Sequence, residues 1–98
     1  MSKGYWIFQT TVTDPDTYRK YVERDGAAFA KYGARFLVRG GAFVVAEGSS
    51  RQRHVVIEFE SYAQAEACYR SPEYQEASAF RHAGAITDLV IVEGAAAV

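Results

Sequence analysis

Ninety-eight residues, 49% of them apolar and 23% charged, suit one domain around one core, and a chain that can bury this much is not disordered. Eleven Lys+Arg against twelve Asp+Glu leave a formal charge of −1, so no basic excess draws it to nucleic acid or to an anionic membrane surface. A single cysteine excludes an internal disulfide and fits a reducing, cytoplasmic setting.

No apolar run approaches the ~20 residues of a membrane span. The start, Met1-Ser2-Lys3-Gly4, enters a strand-like segment without the apolar stretch of a secretory leader. Val and Ile together number fourteen, Leu and Met three, beside seven Tyr and six Phe; such side chains fit a pleated surface. The sixteen Ala gather mostly in 27–34, 63–67 and 77–85, where helices are expected.

Tyr5 to Val12 reads as the first strand. Asp14 caps the helix that follows, with Pro15 at its first position, and Tyr18, Tyr21, Val22, Ala28, Phe29 and Tyr32 form its apolar stripe. Asp25 falls on that stripe, its one ionisable intruder. Gly33 ends the helix. Arg35–Arg39 and Ala42–Ala46 are both strand-like, divided by Gly40-Gly41. That pair suits either a hairpin turn or a bulge within one bent strand. The bulge is preferred, because Glu47 to Gln52 already makes a reversing loop; His54–Phe59 would then pair with 42–46.

Ser61 and Gln64 form a capping box for a helix through Cys68 and Tyr69. Ser71-Pro72 starts another, carrying Tyr74, Ala77 and Phe80 and closed by Gly84. Ile86 to Glu93 is the last strand, so residues 1–94 make the domain, and 95–98 are expected to fray.

The order β-α-β-β-α-β predicts an α+β, ferredoxin-like protomer: a four-stranded antiparallel sheet with its helices on one face. Yet the first and last strands are apolar on both faces. Trp6 and Phe8 oppose Tyr5 and Ile7, and Leu89 and Ile91 oppose Val90 and Val92. Both faces therefore call for burial, which a second copy packed sheet against sheet supplies with closed two-fold symmetry.

Several stretches resemble the bacterial domain of unknown function family 1330: Lys3-Gly4-Tyr5-Trp6, Ala30 through Gly41, Ile57-Glu58-Phe59, Cys68 through Tyr74 and Asp88 through Gly94. The resemblance covers essentially the whole chain and implies the dimeric α+β barrel superfamily. Its members include cofactor-free monooxygenases, isomerases, haem enzymes and proteins without known activity, so it implies no reaction. The loop Ser49-Ser50-Arg51-Gln52 departs from the pattern, which would place a Trp or Pro nearby.

Most familiar chemistries lack their residues. His54 and Glu58 share a strand face about 13 Å apart, too far for one metal ion, and His82 and Cys68 have no second ligand at a familiar spacing. Neither metal nor cofactor is expected. Cys68, on an apolar helix side, reads as a small buried hydrophobe. The Ser49-Ser50 pair has no nucleophile-elbow context, Gly40-Gly41 opens no helix that would cradle phosphate, and RNA-binding sheet motifs are absent.

Three charges on elements predicted to be buried remain: Asp25, Arg39 and Glu58. Buried charge is costly unless paired, so one reading is a structural bridge between Arg39 and a carboxylate. The other is a catalytic set in a cavity lined by Trp6, Tyr69 and Tyr74. There Arg39 would hold an anionic group, Glu58 or Asp25 would move a proton, and a Tyr would orient a small apolar or aromatic substrate. The alternative for the whole protein is a non-catalytic dimer with no usable cavity.

Overall fold

The computed structural model describes residues 2–96. Its elements are β1 (Gly4–Val12), α1 (Pro15–Lys31), β2 (Arg35–Arg39), β3 (Arg53–Phe59), α2 (Tyr62–Arg70), α3 (Pro72–Gly84) and β4 (Ala85–Glu93). The strands form one antiparallel sheet in the order β2-β3-β1-β4, which is the ferredoxin-like arrangement expected. The fray expected of 95–98 concerns, at Ala97 and Val98, residues outside those described.

The helix boundaries follow their local chemistry. Asp14 caps α1 by accepting from the Thr17 backbone N–H, and Pro15 sits where no donor is needed. Ser71 serves two helices: its hydroxyl donates to the Cys68 carbonyl at 2.7 Å and accepts from the Tyr74 N–H at 3.2 Å. The Gly84 carbonyl then accepts from the N–H groups of Thr13 and Asp14, clasping the end of α3 to the start of α1. A side chain at Gly84 would meet the Tyr18 backbone nitrogen at 2.8 Å, so this approach requires glycine.

Strand parity decides what each face of the sheet sees. Trp6, Phe8, Val55, Ile57 and Phe59 point to the helices and join Phe29, Ala65, Tyr74 and Ala77 in the core. Ile7, Ile86, Val90 and Val92 point to the other, outer face and are exposed, Val90 at 58%. The doubly apolar reading of β1 and β4 thus corresponds to one face packed by helices and one left bare.

One expectation fails. Residues 42–46 form no strand, and β3 pairs with 35–39 instead. The ladder's irregularity falls between Phe36 and Val38, not at Gly40-Gly41. The Gly40 N–H makes a last bond to the His54 carbonyl at 2.8 Å, and with φ of 67° Gly40 turns the chain off the sheet. The glycine pair is therefore neither a bulge nor a two-residue turn but the exit into a long loop.

Candidate functional site

The irregularity at Leu37 decides which way Arg39 faces. Phe36 pairs with Ile57 on the helix side, Val38 with Val56 on the outer side, and Arg39 with Val55 on the helix side again. An unbroken alternation would have turned Arg39 outward. Asp25 reaches the same space from α1, four residues after Tyr21 on the buried stripe. Arg53, two residues before Val55, enters from β3.

These three charges line a cleft with Phe8, Tyr18 and Tyr21. Its free volume is about 10 Å³, room for roughly one water molecule. Asp25 is only 6% exposed, and among the described residues it forms no ion pair within 4.0 Å. Burial raises its pKa to about 6, against the pull of Arg39 and Arg53. The Arg39 guanidinium lies over the Phe36 ring at 4.1 Å, and the buried Arg53 Nε has no hydrogen-bond partner. Arg53 packs against Gly40, where any side chain would collide with its guanidinium. The cleft thus collects a carboxyl that takes up a proton near neutral pH and two cations whose donors are not consumed by it.

Glu58 lies elsewhere. It faces outward, where Tyr5 donates to its Oε2 at 3.0 Å and Arg35 binds its Oε1. Arg35 foremost, then Tyr5, holds the Glu58 carboxyl below its ordinary range. A carboxylate with both oxygens occupied, on the far side of the sheet from Arg39, is a cross-strand tie. The bridge foreseen between Arg39 and a carboxylate is instead made by Arg35.

The expected aromatic lining is core. Trp6 and Tyr74 are fully buried, their rings 4.7 Å apart and edge to face, with Tyr69 at 5.8 Å from Trp6. The Trp6 indole N–H donates to the Ala65 carbonyl at 2.9 Å, which fixes the ring. Tyr74 shares a 2.9 Å bond with the Tyr21 hydroxyl and accepts from Arg81 Nε at 3.3 Å. Tyr18 and Tyr21, expected only as core, reach the cleft beside Phe8 and Phe36.

Two charged residues escaped the sequence reading. Arg53 shares the parity of Val55, Ile57 and Phe59, and extending β3 by one residue would have placed it inward. Arg81 follows Tyr74 and Ala77 on the buried stripe of α3, the same pattern that singled out Asp25. Elsewhere, Cys68 is buried, its Sγ donating to the Ala28 carbonyl at 3.8 Å, and burial pushes its thiol up to about 12. His54 Nε2 lies 2.6 Å from the Ser50 hydroxyl, on the outer face. Among the described residues no helix is long and apolar enough to cross a membrane.

The family model for a domain of unknown function, DUF1330, matches residues 3–95. No curated protein matches the chain. Among solved structures, it is similar to the RPA0582 protein of unknown function from Rhodopseudomonas palustris, with a TM-score of 0.78 at 16% identity over 98% of this chain and 85% of that one. SnoaB, a cofactor-independent oxygenase from Streptomyces nogalater, gives 0.64 at 13% identity over 100% and 98%. A dimeric protein of unknown function with a ferredoxin-like fold from Bacteroides fragilis gives 0.61 at 14% over 93% and 95%. At these identities the likeness establishes the shared fold and no shared chemistry.

Proposed function

We propose that this chain, which belongs to the DUF1330 family, works as a homodimer packed through its outer sheet faces, forming an α+β barrel. Each protomer would bind or convert a small apolar or aromatic molecule, without a cofactor, in the cleft of Asp25, Arg39 and Arg53. The single observation that carries the ligand reading is the pair of guanidiniums facing a buried carboxyl that neither neutralises. Arg39, expected to be buried, is exposed at the mouth of the cleft, but the Arg53 Nε is buried and unsatisfied, which is costly, and an anionic ligand oxygen would answer it. The dimer reading rests on the exposed Ile7, Ile86, Val90 and Val92, and on the dimeric ferredoxin-like protein of similar fold from Bacteroides fragilis.

In this scheme Arg39 and Arg53 hold a carboxylate or an enolate oxygen, and the Phe36 and Tyr18 rings flank its apolar part. Asp25, ionised, removes a proton from carbon next to the activating group and, now neutral, returns it at another carbon. That isomerase-like step needs no other reactant. A monooxygenase-like outcome would add dioxygen, as co-substrate, to the same carbanion; the peroxide takes the proton held by Asp25, and its O–O bond and the remaining C–H bond then break with loss of water, which leaves a carbonyl and needs no external reductant. Glu58 has no part in it, and Trp6, Tyr69 and Tyr74 act as the floor that keeps Tyr21 in place.

The narrowness of the cleft, about 10 Å³, favours the second reading, a non-catalytic dimer. A thermal-shift series separates the two. Benzoate, salicylate and 4-hydroxybenzoate should raise the melting temperature of the protein at millimolar concentration, while benzyl alcohol should not. The shifts should disappear in Arg39→Ala. If no aromatic acid shifts the protein, or if Arg39→Ala responds equally, the ligand reading is wrong and the non-catalytic dimer stands. Sedimentation of a single-chain mass at micromolar concentration would remove the dimer as well.

A further inference from the structure

The core holds a cation that the proposed reaction leaves idle. Arg81 is 3% exposed, and among the described residues it forms no ion pair within 4.0 Å. The last turn of α3 suits a cation, but that does not account for burying it, since a charge taken from water needs a partner. Its partner is Tyr74, seven residues earlier and two turns away on the same face of α3. Arg81 Nε donates to the Tyr74 hydroxyl at 3.3 Å, and that hydroxyl lies 2.9 Å from the hydroxyl of Tyr21. The guanidinium also sits 5.7 Å from the centre of the Tyr21 ring.

The direction of this chain follows from what each group can do. A guanidinium only donates, so the Tyr74 oxygen accepts from Arg81. Tyr74 is fully buried, and among the described residues its own proton meets one acceptor, the Tyr21 oxygen. The reverse order, Tyr21 donating to Tyr74, would strand the Tyr74 proton in the core with its bond unmade. Tyr74 therefore donates to Tyr21, and the Tyr21 proton is left without a partner among the described residues. Tyr21 lines the cleft. The donors thus point one way, from Arg81 toward the space that Asp25 enters, and each bond polarises the next.

Helix spacing pairs this donor with the base. Tyr21 and Asp25 are four apart on the buried stripe of α1, neighbours with about 5–6 Å between their Cβ atoms, so the two flank a single H–C–C=O unit. We infer that Tyr21 is a catalytic residue whose hydroxyl donates to the carbonyl oxygen of the substrate, and that Tyr74 and Arg81 are positioning residues that aim and polarise it. This inference rests on the cleft reading proposed above and narrows its substrate class to unsaturated carbonyl compounds with an acidic C–H beside the carbonyl. When Asp25 takes that proton, the C–H electron pair becomes a C=C bond and the carbonyl pair moves onto oxygen, where the Tyr21 proton meets it. Burial holds the phenol well above its ordinary pKa, so Tyr21 shares its proton with the enolate and keeps it. Asp25 then returns the carbon-bound proton at the far end of the conjugated system, which restores the carbonyl with its C=C bond moved.

The ionisation of a bound phenol tests this, because a phenolate oxygen imitates the enolate. The background is Asp25→Asn, whose neutral amide stands for the base after it has taken its proton. With 4-nitrophenol as the probe, phenolate absorbance should give an ionisation midpoint at least about one pH unit lower bound than free, a tenfold change in the constant. Adding Tyr21→Phe should cancel most of that shift, and adding Tyr74→Phe, which keeps the ring and cuts the chain, should cancel part of it. Circular dichroism should stay as in the background protein. A merely structural role would alter stability and leave the bound midpoint where it was. Benzoate should still raise the melting temperature of all three variants, since Arg39 and Arg53 hold it. If Tyr21→Phe binds 4-nitrophenol with an unchanged midpoint, Tyr21 is not the donor, while the cleft reading survives. If only Tyr74→Phe leaves the midpoint unchanged, the relay from Arg81 is wrong. If the unsubstituted protein binds neither benzoate nor 4-nitrophenol, the cleft reading falls and this inference with it.

Discussion

Replacing Asp25 with Asn should stabilise the protein, and only at pH values where the carboxyl is charged. Burial raises this group from 3.8 to about 6, so the folded state binds a proton more tightly than the unfolded chain does. The sign follows from linkage: between pH 4 and pH 6 folding takes up a proton, and stability falls as pH rises through that window. Above it the folded protein carries an unfavourable charge worth about 3 kcal/mol, two pKa units at 1.36 kcal/mol each. An Asn amide, buried in turn, keeps part of that cost, which leaves an expected gain of about 1–3 kcal/mol at pH 8. The gain should shrink below pH 6 and vanish below pH 4. Urea unfolding of both proteins at one fixed chain concentration, at pH 4, 6 and 8, measures it, since the stability of the proposed dimer would depend on concentration. A variant less stable than the parent at pH 8, or a difference independent of pH, would show that Asp25 is already neutralised in the cleft. The argument for an acid–base role would go with it.

Glu58→Gln should behave oppositely: with its carboxyl held low by Arg35 and Tyr5, its contribution is present above the ordinary carboxylate range and lost as pH falls. The variant should therefore melt lower than the parent at pH 7 and converge with it near pH 3 in a thermal scan. Cys68, buried with its thiol pushed up to about 12, should resist iodoacetamide at pH 8 in the native protein and be fully alkylated in urea, as read by mass spectrometry. Gly84→Ala puts a methyl group against the α1 backbone and should cost about 1–3 kcal/mol in urea unfolding. Ser71→Ala removes the cap of α3 and should cost about 1 kcal/mol.

The chemistry of ends and turns made the helices and β1 legible: Asp14-Pro15, Ser61 and Ser71-Pro72 all start helices where their side chains demand it. The failure at 42–46 came from the same propensities. Phe43-Val44-Val45 satisfies every local rule for a strand, and propensity does not say whether the fold offers that segment a partner to pair with. Neither did periodicity reveal the irregularity at Leu37, since no glycine marks it and Arg35–Arg39 reads as continuous. A single displaced residue there moves Arg39 between faces, so the composition of the cleft was undetermined even with every strand placed. Asp25 was legible because a helix stripe has no such ambiguity.

The sheet consequently separates two kinds of charge. On the outer face Glu58 is answered within the protomer by Tyr5 and Arg35, a closed set that a second sheet can cover with little further desolvation cost, because its partners travel with it. On the helix side Asp25 is buried with no ion pair among the described residues, and the buried Nε of the half-buried Arg53 has no hydrogen-bond partner, an arrangement that stability alone would not maintain. A pairing could have been had cheaply: Arg39 and Arg53 both line the space that Asp25 enters. Instead Arg39 stacks on Phe36 and Arg53 packs against Gly40, each held by something other than the carboxyl. Cations fixed independently of the acid beside them remain available when the acid gains or loses its proton. That independence, more than the burial, separates the cleft from a structural ion pair. It also makes Gly40 a positioning residue: Gly40→Ala, strained at φ of 67° and in collision with Arg53, should abolish any aromatic-acid thermal shift while Gly41→Ala, with open space around it, leaves that shift intact.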